Sequence, residues 1–139
     1  MSATPIVIAL PTSNRRTSYR FYRDGLGYET VGKPAKDGVP EPLQLVVNTE
    51  LRIMLVPTRG FGWLTGGRKV VPKAQSECVI NVSAGTDAGV DEMLERAERA
   101  GGAVVIEPGE QSWGYAGSFA DPDGHVWMVT SDEAFWLTS

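Results

Sequence analysis

Residues 117–127 read GSFADPDGHVW. Asp121-Pro122-Asp123-Gly124 places proline at the second and glycine at the fourth position of a tight turn, the chemistry a type I turn favours. Ser118–Ala120 before it and Val126–Thr130 after it read as strands, so the stretch closes a hairpin. Asp121 and Asp123 are therefore read as turn formers whose carboxylates bond nearby backbone, not as a catalytic pair. His125 is read as a half-exposed residue at the start of a strand.

Working outward, Met128 lies in Trp127-Met128-Val129, and a shift of 74 residues carries Met54, in Ile53-Met54-Leu55, onto it. A shift of 70 carries Val7 onto Glu77. Pro5–Leu10 is a buried-strand candidate, and Ser13 or Asn14 can cap a helix running to about Asp24. In it Ser18, Phe21, Tyr22 and Leu26 share one face, and Gly25 and Gly27 end it. Tyr28–Val31 is a strand, Gly32–Pro42 a loop, and Leu43–Val47 with Leu51–Val56 a hairpin. The second half repeats the order. Glu77–Val82 is a strand, and Thr86 or Asp87 caps a helix with Val90, Met93, Leu94 and Ala97 as its apolar stripe. Gly101-Gly102 ends it, and Ala103–Ile106 precedes the closing hairpin. Each half is too small to bury its own sheet face well, so pairing of halves or chains is expected.

The chain has 139 residues, 42% hydrophobic and 22% charged, with 16 Gly and 9 Pro. That length fits one ordinary domain of two modules, about 1–57 and 75–131, a Gly/Pro-rich connection at 57–74 and an aromatic tail at 132–139. Net charge is -4 without a basic run, which argues against nucleic acid as a partner. No long apolar span argues against a membrane. Met1–Leu10 lacks the layout of a secretion signal, so a cytoplasmic protein is expected. The single cysteine, Cys78, excludes an internal disulfide or a multi-cysteine metal site and is read as structural and buried. The single histidine excludes a two-histidine iron site within one chain.

Arg20-Phe21-Tyr22-Arg23-Asp24-Gly25-Leu26-Gly27-Tyr28 resembles the FY-x-x-x-LG helix end, and Gly117–Trp127 the closing hairpin, of the vicinal oxygen chelate superfamily. That group includes glyoxalase I, fosfomycin-resistance enzymes, extradiol dioxygenases and bleomycin-resistance binding proteins. The resemblance implies an α+β fold of two tandem βαβββ modules that form a curved mixed sheet around a cleft, assembled as a homodimer. It further implies a divalent metal, in the family's enzymes, held from the first and last strand of each module. Those positions carry over to Val7, Met54, Glu77 and Met128, of which only Glu77 is a suitable ligand. Met128 stands where related sequences commonly have Glu.

The reading that follows is a metal-independent, bleomycin-resistance-type protein that needs no cofactor and captures a small organic ligand. Val7, Met54, Met128, Trp63, Trp113 and Glu77 line the pocket. Trp63 and Trp113 fall in segments with weak packing reasons for so large a ring. Glu77 beside tryptophans suits a cationic aromatic ligand. Tyr19, Tyr22 and Tyr28 are read as packing residues, the arginines of the first helix as a solvated face, and Phe135 and Trp136 as outer or dimer contacts. The alternative is a glyoxalase-like lyase or isomerase that uses a divalent metal or Glu77 as catalytic base. A third possibility is a protein-binding module.

Overall fold

The computed structural model describes residues 4–131, which fall into two compact units that divide after Val71. Phe135 and Trp136 lie outside the described residues.

The first unit opens with β1 (Ile6–Thr12), followed by α1 (Arg15–Tyr19) and a π-helical segment at Arg20–Gly25. Asn14 is the cap, its side chain accepting from the Thr17 N–H, so one orphan donor of the first turn is satisfied. The expected helix thus forms, but its second half widens: the Leu26 N–H bonds back to the Phe21 carbonyl. Ser18, Phe21, Tyr22 and Leu26 are buried, and Gly27 leaves the helix at φ +80°, a region glycine enters without strain. Strands β2 (Glu29–Val31), β3 (Leu43–Val46) and β4 (Leu51–Pro57) complete a sheet of order β1-β4-β3-β2 in which β1 runs parallel to β4. The loop before β3 is pinned by Arg15, which bonds the carbonyls of Val39 and Pro40 and pairs with Asp37 and Glu41. The Val39 N–H, and then Arg15, hold the Asp37 carboxyl below its usual range.

Residues 57–74 are more than a connection, because α2 (Thr58–Leu64) forms within them. Gly60 and Gly62, poor helix formers, hide this short helix from propensity reasoning.

The second unit contains β5 (Val79–Ser83), α3 (Asp87–Arg99), β6 (Ala103–Gln111), β7 (Gly114–Ala120) and β8 (Val126–Thr130). Its sheet order, β5-β8-β7-β6 with β5 parallel to β8, repeats that of the first unit. Thr86 caps α3 by accepting from the Gly89 N–H, and Val90, Leu94 and Ala97 are buried. Below them Trp127 and Phe119 stack with centroids 6.1 Å apart, both fully buried. Each such side chain contributes roughly 1.5–3 kcal/mol.

β5 begins at Val79, so Glu77 and Cys78 precede the strand, and Cys78 is exposed rather than buried. Two paired rows fix the internal repeat: Ala9 faces Met54 and Asn81 faces Met128, so Val7 corresponds to Val79, not to Glu77. The hairpin strands β6 and β7 extend to a two-residue turn, Ser112-Trp113, which places Trp113 at a strand junction.

Candidate functional site

Strand alternation separates each sheet into two faces. In the second unit Ile80, Trp127, Phe119 and Val104 form one cross-strand row, with Val82, Val129 and Gly117 the next; this is the face toward α3. An added Cβ on Gly117 would lie 2.5 Å from Leu94 Cδ1 of that helix. The opposite face, open in that no helix of this unit packs on it, carries the rows Val79–Val126–Ala120–Ala103, Asn81–Met128–Ser118–Ile106 and Ser83–Thr130–Ala116; its outer-strand residues are exposed, while Ala116, Ser118 and Thr130 at its centre are buried. In the first unit Ile53 and Leu55 are buried, while Met54 alternates onto the other face beside Ala9, Gln44 and Val31.

The sequence-predicted site residues are therefore split. Met54 and Val7 share the open face of the first sheet, in adjacent rows, and Met128 occupies the equivalent place on the second. Trp63 lies on α2 and is 83% exposed, and Trp113 is half-buried in the β6–β7 turn. Glu77 is exposed and outside both sheets. A groove of about 510 Å³ opens at the end of the second sheet, lined by Lys73, Ala103, Val105, Ala120, Asp121 and Val126 among others.

Ser118 escaped the sequence reading. Its hydroxyl is buried and is the one buried side-chain polar atom among the described residues without a hydrogen-bond partner. The G-S-F-A alternation of Gly117–Ala120 carried the signal, because Phe119 inward sends Ser118 to the open face.

The turn 121–124 behaves as its sequence demands. Buried Asp121 accepts through Oδ1 from the N–H groups of Asp123 and His125, and the Gly124 N–H closes the turn onto the Asp121 carbonyl. Ligand atoms of Asp121, Asp123 and His125 all lie within 4.8 Å of one another. Elsewhere in this unit the Tyr115 hydroxyl donates to Asp91 at 2.6 Å, and that bond, with burial, pushes the phenol up to about 12.

The divalent metal implied by the resemblance does not fit the four register-equivalent positions. Val7, Met54, Val79 and Met128 offer two hydrocarbons and two thioethers, and a thioether is a soft, weak donor for such ions. Among the described residues no helix is long and apolar enough to cross a membrane.

Comparison with known proteins accords with this architecture. No curated protein matches the chain. A hypothetical protein from S. aureus is similar at 22% identity and TM-score 0.76, with 94% of this chain and 95% of that one covered. A glyoxalase-related enzyme from Fulvimarina pelagi is similar at 23% identity and TM-score 0.76, covering 94% and 88%. TnmS3, an antibiotic binding protein from Streptomyces sp. CB03234, is similar at 21% identity and TM-score 0.62, covering 93% and 95%. At these identities the likeness establishes the fold. The family model of the Glyoxalase/Bleomycin resistance protein/Dioxygenase superfamily matches residues 6–129, nearly the whole chain, and the protein belongs to that superfamily.

Proposed function

We propose that this protein captures a small organic molecule without a metal ion and without making or breaking a bond. The observation that carries the reading is the side-chain chemistry at the register-equivalent positions, where Val7, Met54, Val79 and Met128 replace the oxygen and nitrogen donors a divalent ion needs. Methionine is unbranched and polarizable, so Met54 on the first sheet and Met128 on the second can each conform to a flat apolar ligand where neither could hold a metal. That a protein of the same fold is an antibiotic binding protein supports the capture role. In this reading Val7 and Met54 form an apolar floor on the first sheet, with Trp63 contributing from α2, and Met128 forms one on the second, with Trp113 and Glu77 contributing from flanking segments, Glu77 as the anchor of a cationic group. The protein acts in the cytoplasm as a homodimer.

The test is elemental analysis after exposure to Mn, Fe, Co, Ni and Zn followed by exhaustive dialysis. We expect a metal content near zero per chain, together with thermal stabilisation by aromatic organic compounds. A content near one overturns metal independence. One observation favours a second reading, a metal-dependent lyase or isomerase: the clustering of Asp121, Asp123 and His125. It predicts stoichiometric metal that is lost in His125→Ala. Against it stands the commitment of Asp121 Oδ1 to two backbone N–H groups.

A further inference from the structure

We propose that Ser118 is the polar anchor of a ligand site on the open face of the second sheet. The site takes a planar apolar ring whose buried end carries one neutral hydrogen-bonding group, a carbonyl or a phenolic hydroxyl. This rests on the capture reading above and specifies its chemistry.

Two independent observations meet here. The first is the orphaned hydroxyl. Ser118 is 3% exposed, and its Oγ has no partner, whereas the other polar side chains of the same face are engaged. Asn81 Nδ2 donates to the Val79 carbonyl, the Thr130 hydroxyl to the Val82 carbonyl, and Ser83 Oγ accepts from the Gly85 N–H. A buried hydroxyl without a partner costs stability, so it persists where something outside the folded chain completes it. The second observation is the surface around it. Along β7 the open-face positions are Ala116, Ser118 and Ala120, all small, and the row ahead of Ser118 forms a wall of the groove through Ala120, Ala103 and Val126.

The neighbours fix the ligand class. The rows Val79–Val126–Ala120–Ala103, Asn81–Met128–Ser118–Ile106 and Ser83–Thr130–Ala116 contain no charged residue. The charged residues that line the groove, Lys73 and Asp121, lie outside these rows, so a charged group placed against Ser118 would lose its hydration without a counter-charge in its own row or the next, while a neutral carbonyl or hydroxyl needs only one hydrogen bond. A serine hydroxyl can donate to the first or accept from the second. Flanking Met128 has three rotatable side-chain bonds, so it can swing aside to admit a ring and then pack its sulfur against the ring edge.

The test titrates the full chain with 1-naphthol and with 1-methylnaphthalene, which match in shape and differ in whether the substituent can hydrogen-bond. We expect wild-type protein to bind naphthol about 3- to 10-fold more tightly, and Ser118→Ala to equalise the two. In the absence of ligand, Ser118→Ala should raise Tm by about 3 °C, because it removes an unsatisfied buried group. An unchanged naphthol preference in Ser118→Ala overturns the anchor while leaving capture standing. A fall in Tm would mean that the hydroxyl is satisfied within the fold and overturns it as well. Failure of both probes to bind the wild-type protein overturns the anchor and the capture reading together.

Discussion

Tyr115 fastens the second unit's helix to its sheet through one short hydrogen bond to Asp91, and the same bond makes the unit sensitive to alkali. The bond needs the phenol protonated, so the folded state holds its pKa near 12 against an ordinary 10.0. A raised folded pKa contributes stability that is complete below pH 10 and is lost as pH climbs through 12. Tyr28, raised to about 12 by burial, acts in the same direction in the first unit. Urea midpoints measured between pH 9 and 12 should therefore fall. In Tyr115→Phe the fall should be shallower and start from a lower plateau, and an unaltered slope would show that Asp91 is not the cause. At this scale the sequence was legible where a residue's role is local. Asp121 accepts backbone N–H groups as its turn requires, and Asn14 and Thr86 cap as their spacing requires. Cys78 was not legible, because its burial depends on where β5 begins, which two flanking residues do not specify.

The packing of α3 on β7 turns on Gly117. Its missing side chain lets the helix approach: an added Cβ would meet Leu94 Cδ1 at 2.5 Å, the Ile106 carbonyl at 3.0 Å and Pro108 Cα at 3.1 Å. Two of those three are backbone and cannot rotate away, so Gly117→Ala should destabilise by about 1–3 kcal/mol through overpacking. Chemical denaturation checks this, and a loss under ~0.5 kcal/mol would mean that the helix can shift. The same element shows why the sequence reading stopped short. Gly114, Ala116 and Gly117, all poor strand formers, weaken the propensity signal that Tyr115 alone supplies, so β7 was legible only over its last three residues. The register supplied what propensity could not. Once Phe119 pairs with Trp127, alternation places Ser118 beside Met128 on the open face. Strand β5 was misplaced by two residues at its start for the converse reason. A pattern match by shift alone has no partner strand to hold it, and pairing with β8 sets Val79 as the first residue.

The repeat of strand, helix and three strands was legible in the whole chain because it rests on periodic apolar patterns and two helix-ending glycine pairs, which are read locally and need no knowledge of strand partners. Strand β1 is an edge of its sheet, yet Ile6, Val7 and Ile8 are 67%, 43% and 38% exposed in succession. Alternation sends Ile6 and Ile8 to one face and Val7 to the other, so apolar surface lies open on both sides of unpaired backbone. Proteins seldom leave such an edge uncovered, because it templates pairing with another chain. A second copy of this chain carries the same exposed edge and is present wherever the first is, and closed two-fold pairing would cover the edge where open pairing would propagate fibres. Sedimentation equilibrium at micromolar concentration should then report twice the 15.0 kDa chain mass. Ile6→Lys combined with Ile8→Lys should reduce it to one chain without loss of secondary structure by circular dichroism, since both side chains are already more than a third exposed and a lysine stem can carry its charge to water. A wild-type monomer would overturn the dimer. A double-lysine variant that stays dimeric would move the contact away from β1, toward the exposed Val105 and Ile106 of the second unit.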